Sequence, residues 1–144
     1  MKVSTKGRYG LKALIDLAIY SKSEVVTLKS ISDRQNLSEG YLEQIFSALR
    51  KSGFVIGRKG SQGGYLLSKP ANQFTIGEIL RALEGKLALV DVDETTTTDK
   101  LDKYINKNLW NIINNKINNY FDSITLEDLV NKYMSEKDNI MYYI

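Results

Sequence analysis

Apolar positions recur along the first half of the chain at two periods, and the change of period divides it into elements. Over Thr5–Tyr20, the residues Leu11, Leu14, Ile15, Ala18 and Ile19 follow the i, i+3, i+4 spacing of one helical face. Thr27 is placed to cap a second helix, Leu28–Gln35, with Leu28 and Ile31 inward. Asn36 and Leu37 make a short turn, and Ser38 caps a third helix whose buried stripe is Leu42, Ile45, Phe46 and Leu49. Gly53 suits the left-handed position that follows a helix end. Two helices joined by so short a turn form a helix-turn-helix unit. Phe54–Arg58 and Tyr65–Ser68 then read as two short strands, joined by Lys59-Gly60-Ser61-Gln62-Gly63-Gly64. That loop has no apolar residue to pack, so it should project from the domain, and Pro70 closes the module.

The second half is helical in pattern. Thr75-Ile76-Gly77-Glu78 is a capping box opening a helix through Leu83, which Gly85 ends. Leu87–Val92 is a short apolar piece, and Asp93–Asp99 is a polar loop. From about Lys100 to Tyr120 a long helix carries Leu101, Ile105, Leu109, Ile112, Ile113, Ile117 and Tyr120 on one face. At 1.5 Å per residue it spans ~30 Å. A small domain has little use for such a stripe unless a partner covers it, which predicts a dimer interface there. Thr125 caps a last helix to about Tyr133, with Leu126, Leu129 and Val130 inward, before an apolar and aromatic tail, Ile140–Ile144. The fold class expected is mainly α with a small β-hairpin wing, an α+β arrangement. A winged helix-turn-helix domain would occupy 1–85, and a linker or regulatory loop 86–99. A dimerisation helix and a C-terminal helix packing back on the first domain would occupy 100–144.

Composition narrows the function. A chain of 144 residues with 42% hydrophobic and 26% charged residues reads as an ordinary soluble protein. No run approaches the ~20 apolar residues of a membrane helix. The N-terminus, MKVSTKGRYG, lacks the apolar core of a secretory signal, so a cytoplasmic protein without a membrane partner is expected. There are no cysteines and no histidines, which excludes disulfides, thiolate metal sites, and Ser-His or Cys-His relays. Carboxylates and lysines remain as acids and bases, but no convergent constellation of them points to an enzyme. The net charge of +3 hides an asymmetry. Residues 1–70 hold 12 Lys/Arg against 5 Asp/Glu, whereas residues 71–144 hold 8 against 12. A basic N-terminal half can neutralise phosphates and release counterions.

A helix that can enter a groove, followed by a flexible basic finger, is the layout of a DNA reader. The second helix of a helix-turn-helix presents its first residues to base edges in the major groove. Here these are Ser38, Glu39, Gly40, Tyr41, Glu43 and Gln44. Glu43 suits a cytosine amino group and Gln44 suits adenine. Ser38 combines a cap with a possible phosphate contact, and the Tyr41 hydroxyl is placed either to reach the backbone or to pack. Lys6, Arg8, Arg50 and Lys51 would grip phosphate, although Arg50 and Lys51 also favour the helix C-terminal dipole. Arg58 and Lys59 sit at the base of the wing, where an arginine can enter a narrow minor groove. Gly60, Gly63 and Gly64, with Ser61 and Gln62 between, would let the wing backbone approach phosphate.

In combination these segments are familiar. STKGRYG (4–10), LSEGYLEQIFSALRKSG (37–53), GSQGGYLL (60–67), TIGEILRALEG (75–85), LW (109–110) and ITLEDLV (124–130) resemble the Rrf2 family of bacterial winged-helix transcription regulators over nearly the whole chain. The resemblance implies a homodimer whose long helix crosses to the partner, binding a pseudo-palindromic double-stranded DNA operator. It implies base contacts from Tyr41, Glu43 and Gln44 and a minor-groove contact from a basic wing residue. Many members hold an iron–sulfur cluster on three cysteines, and the matching positions here are Val92, Thr98 and Tyr104, with Lys107 where a histidine often stands. None supplies a thiolate, so no cofactor is expected. Within the family the cysteine-free pattern looks most like the repressors of cysteine metabolism, which implies cysteine synthase as a partner that reports sulfur supply. A small-molecule ligand acting in place of that partner, or a winged helix that docks on protein, are the competing readings.

Overall fold

In the computed structural model, which describes residues 2–93, 95 and 98–143, four short helices and a hairpin enclose one apolar core, and two longer helices lie across it. Helix α1 spans Thr5–Tyr20, α2 Leu28–Gln35 and α3 Glu39–Lys51. Strands β1 (Val55–Arg58) and β2 (Gly64–Leu67) pair antiparallel, with Val55 opposite Leu67 and Arg58 opposite Gly64. A 3-10 turn over Ala71–Gln73 leads into α4, Ile76–Glu84. Helix α5 (Lys100–Ile105), a π-helical turn (Asn106–Trp110) and α6 (Asn111–Asp122) run on without a break, and α7 covers Leu126–Tyr143. Among the described residues no helix is long and apolar enough to cross a membrane.

Caps set most of the helix starts. The hydroxyls of Ser4, Thr27, Ser38 and Thr75 each accept a bond from the backbone N–H three residues on. In α4 the reciprocal Glu78 bond completes the capping box. Asn36 adopts the left-handed conformation (φ 56°) at the turn between α2 and α3, and Gly53 (φ 83°) does so after α3. Asparagine and glycine are the residues that tolerate it.

The core is built on α3, whose Leu42, Ile45, Phe46 and Leu49 have no exposed surface. Helix α1 meets it with Ala13, Leu14 and Leu17, and α4 with Ile79, Leu80 and Leu83. The α1 stripe is therefore turned from the one its spacing predicts, since Leu11, Ile15 and Ile19 are only half-buried. Gly7 and Gly10 cause the turn: a Cβ at either would run into the Glu84 or Leu83 side chain, so bare backbone lets α1 close on α4. The C-terminal part shares this core. Leu126 and Val130 are buried in it, and α7 is tied on by Ile76 N–H to Ile124 C=O (2.8 Å) and Leu126 N–H to Phe74 C=O (2.9 Å). Helix α7 continues ten residues past the end at Tyr133 that the sequence suggests. Of the tail Ile140–Ile144, Ile144 and the other side chains lie outside the described residues.

The buried polar member of α1 is Asp16, 1% exposed. Its carboxylate accepts two bonds from the Arg34 guanidinium (2.9 and 2.7 Å) and one from the Gln35 amide (2.7 Å). Arg34 also stacks on the Tyr20 ring, 3.9 Å from its centre. The bonded carboxylate raises the Arg34 pKa above its ordinary value. Removing one partner of a buried pair is strongly unfavourable because it strands the other charge. Arg34→Ala should therefore destabilise the protein by about 3 kcal/mol, and Arg34→Lys should recover only part of this because the two-pronged geometry is lost. Urea unfolding monitored by circular dichroism measures both.

Candidate nucleic-acid interface

The start of α1 meets the start of α3, and the end of α3 meets the wing. Ser38 uses its side chain as a cap, accepting from Tyr41 N–H at 3.1 Å. Tyr41 is half-buried and meets Tyr9 edge-on, ring centres 6.2 Å apart, so its ring is positioned by packing. Glu39, Gly40, Glu43 and Gln44 stand exposed beside it. Neither Glu43 nor Gln44 has a side-chain partner among the described residues, and a Cβ at Gly40 would meet open space.

Two concavities lie along this helix, one at its start and one at its end. One, of about 280 Å³, lies between Thr5 and Tyr9 of α1 and the Asn36–Tyr41 segment. The other, of about 130 Å³, brings Arg50 at the end of α3 together with Arg58, Lys59 and Tyr65 of the wing. Lys51 is exposed one residue on, next to the α3 C-terminus. At the far edge Arg8 is exposed, with a long bond to Thr5 Oγ1 (3.5 Å), while Lys6 is half-buried. The ion pairs found among the described residues are Lys29–Asp33, Arg34–Asp16, Arg81–Asp122 and Lys86–Asp91. None uses Lys6, Arg8, Arg50, Lys51, Arg58 or Lys59. Cations gathered and left unpaired on one face give it a positive potential.

The wing's position is set with the help of Val26, which sequence patterning did not single out. Val26, just before α2, exchanges both backbone bonds with Tyr65 (3.0 and 2.8 Å), and the Tyr65 ring rests on Phe46 of α3, centres 4.8 Å apart. Gly64 is needed there because a Cβ would lie 2.7 Å from the Val26 carbonyl oxygen. A Cβ at Gly63 would lie 2.3 Å from the Arg58 carbonyl oxygen. Both glycines thus serve close packing within the protein, and only Gly60 (φ 103°) faces open space at the tip, next to exposed Ser61 and Gln62. The one sequence signal for the Asp16 cluster is a lone carboxylate inside an apolar helix face.

The predicted interface stripe on the long helix divides in space. Leu101, Leu109, Ile112 and Tyr120 are exposed, at 65%, 51%, 47% and 64%. Ile105 and Ile113 are half-buried, whereas Ile117 packs on the core of its own chain with Phe121. A π-helical turn interrupts the regular repeat within this stretch. Asn111 N–H reaches back five residues to Asn106 C=O, and the wide turn shifts every later side chain off the regular repeat. Beside it, Asn114 accepts from Leu89 N–H (2.7 Å) and donates to Val90 C=O (2.9 Å), and Asn118 donates to Leu87 C=O (2.7 Å). These amides fasten the 87–90 segment to α6.

An exposed reading helix, a cationic wing and a helix-turn-helix held on one core define a winged helix-turn-helix protein. A family model, Rrf2, described as "Iron-dependent Transcriptional regulator", matches residues 3–132, and the chain belongs to that family. It is 42% identical over 144 residues, the full length of both chains, to the HTH-type transcriptional regulator CymR of Bacillus subtilis. The structure of that CymR, titled "the Global Cysteine Regulator of B. subtilis", superposes with a TM-score of 0.78 at 41% identity, covering 92% of this chain and 98% of the other. The IscR structure from T. potens gives a TM-score of 0.73 at 40% identity, covering 92% and 88%. The chain is therefore a transcriptional regulator of this family and not an enzyme.

The iron in the family's description finds no matching donors here. The chain has no cysteine or histidine, and no group of three or more carboxylates among the described residues is placed to hold a metal. Val92 is half-buried in the linker, and Thr98, Tyr104 and Lys107 are exposed. These side chains do not fit an iron–sulfur cluster, which needs thiolates.

Each phosphate neutralised on duplex DNA contributes about 0.9 to the slope of log K against log salt. Replacing Arg58 and Lys59 together by Ala should weaken binding to all sequences alike and reduce that slope by about 2. Fluorescence anisotropy at stepped salt concentrations reads both quantities, and an unchanged slope would remove the wing from phosphate contact.

Proposed function

We propose that this chain is a homodimeric repressor that binds a pseudo-palindromic operator controlling genes of cysteine and sulfur metabolism, without an iron–sulfur cluster. Within each subunit, residues 1–85 act as the DNA-binding domain, 86–99 as a linker, and 100–144 as the dimerising part. Carrying the reading are Glu43 and Gln44, exposed and unbonded on α3 beside a wing of unpaired cations. In the major groove Glu43 accepts from a cytosine amino group and Gln44 pairs with adenine. Glu43 repels phosphate, so it acts by rejecting other bases. Ser38 adds a phosphate contact to its cap, Tyr41 enters the major groove, and Glu39 and Gly40 are presented to base edges with them. Lys6, Arg8, Arg50 and Lys51 hold the sugar-phosphate backbone, and Arg58 or Lys59 enters the minor groove, with Gly60 to Gly64 tracking its wall.

The metabolic role rests on full-length similarity to a regulator whose title names cysteine. Cysteine synthase is the proposed partner that reports sulfur supply. Co-purification from native cytoplasm tests it, and its absence from the eluate would favour a small-molecule signal. Dimerisation is supported by the exposed apolar face from Leu101 to Tyr120, which is unusual to leave in water.

Selection from a random duplex pool should enrich a palindrome with the native chain. With Glu43→Ala the enriched set should lose preference at one position per half-site, worth about 1–3 kcal/mol, while non-specific affinity holds or rises. If affinity instead fell equally for every sequence, the base-reading role would be wrong. A shallow salt dependence on duplex DNA would point to a protein-docking role instead. Leu109→Asp with Ile112→Asp should give folded monomers by light scattering, since both side chains are already exposed in the single chain.

A further inference from the structure

A cleft of about 640 Å³ lies where the end of α1, the strand β2, the 3-10 turn and the first turns of α7 meet. That is well inside the range of about 300–1,000 Å³ typical of small-molecule sites. Its floor is apolar: Ala18 and Val130 are buried, and Leu66 and Leu67 are half-buried. Its charged members are Lys22, Lys69 and Glu127. None of these three has a side-chain bond or ion pair among the described residues.

A second charged cavity, of about 260 Å³ beside the linker, offers a contrast. There Arg81 is already paired with Asp122, Lys86 with Asp91, and Asn114 and Asn118 with linker carbonyls. An occupant would have to break bonds the fold uses. In the larger cleft the charged groups are free to meet a ligand. Two ammonium groups against one carboxylate leave its rim net positive, which selects an anion, and the floor selects an apolar body.

We propose that this cleft binds a small organic monoanion with an apolar body, its anionic group held between Lys22 and Lys69. Glu127 favours ligands that also carry an N–H or O–H donor. The wall formed by Leu66–Lys69 continues directly from β2, whose Tyr65 is bonded to Val26 and packed on Phe46 of the reading helix. An occupant therefore touches the root of the wing and helix α7 together, the place from which a ligand would act on wing position. The test reads ligand binding alone, so it stands or fails apart from the DNA-binding proposal.

Octanoate serves as the probe and octylamine as its cationic counterpart, each titrated into the ¹⁵N-labelled full chain and followed by NMR. Octanoate should give saturable shifts at Ser21, Leu66, Leu67, Ser68, Ala71 and Asn131, and bind about tenfold tighter than octylamine. Lys22→Glu with Lys69→Glu, both exposed positions, should reverse that preference without altering the fold. Shifts that fail to saturate, or that centre on the exposed Leu101–Tyr120 face, would overturn the site. Equal affinity for the two probes, or a preference unchanged in the double variant, would overturn the charge assignment and with it the proposal.

Discussion

A carboxylate taken out of water is unfavourable unless its oxygens are fully bonded. Asp16 meets that condition with three donors, all from α2. Because the Arg34 fork and the Gln35 amide must both reach one carboxylate, α2 has a single placement against α1. That placement sets the rest. The left-handed Asn36 turns the chain directly from α2 into α3, and the segment entering α2 carries Val26, which holds β2. One half-buried ion pair thus registers the reading helix and the wing against the same helix.

Charge is distributed in the folded chain according to use. Where a cation is structural it is paired, as with Arg34 on Asp16 and Arg81 on Asp122. On the face made by α3 and the wing the cations are unpaired, and Arg50, Arg58 and Lys59 converge on one concavity. Exposed ion pairs contribute little to stability, so leaving these unpaired costs the fold little and leaves their potential available to an outside anion. The wing glycines divide similarly. Gly63 and Gly64 permit backbone contact inside the protein, and Gly60 alone gives the tip its open turn.

The long helix divides its apolar residues between two surroundings. Ile117 and Phe121 pack on the chain's own core, whereas Leu101, Leu109 and Ile112 stay outside, and a π-helical turn interrupts the repeat between them. The 87–90 segment before it is held by the Asn114 and Asn118 amides. Amide bonds position a backbone as a structural tie would, but they offer no redox chemistry.

The sequence by itself determined the order of elements, the helix caps, the α3 stripe and the hairpin, because each is a local property of spacing or of a cap residue. It also determined the absence of thiolate and imidazole chemistry, which is a matter of inventory. Candidate site residues on α3 and the wing were legible for the same reason: they cluster within one short stretch. Only the tertiary structure decided which face of α1 is buried, since Gly7 and Gly10 act through helices distant in sequence. It alone joined Asp16 to Arg34, Val26 to Tyr65 and Arg50 to Arg58, and divided the long stripe into an inner and an outer set. Periodicity reports which residues avoid water. It does not report which neighbour excludes it, because that depends on contacts made across the chain.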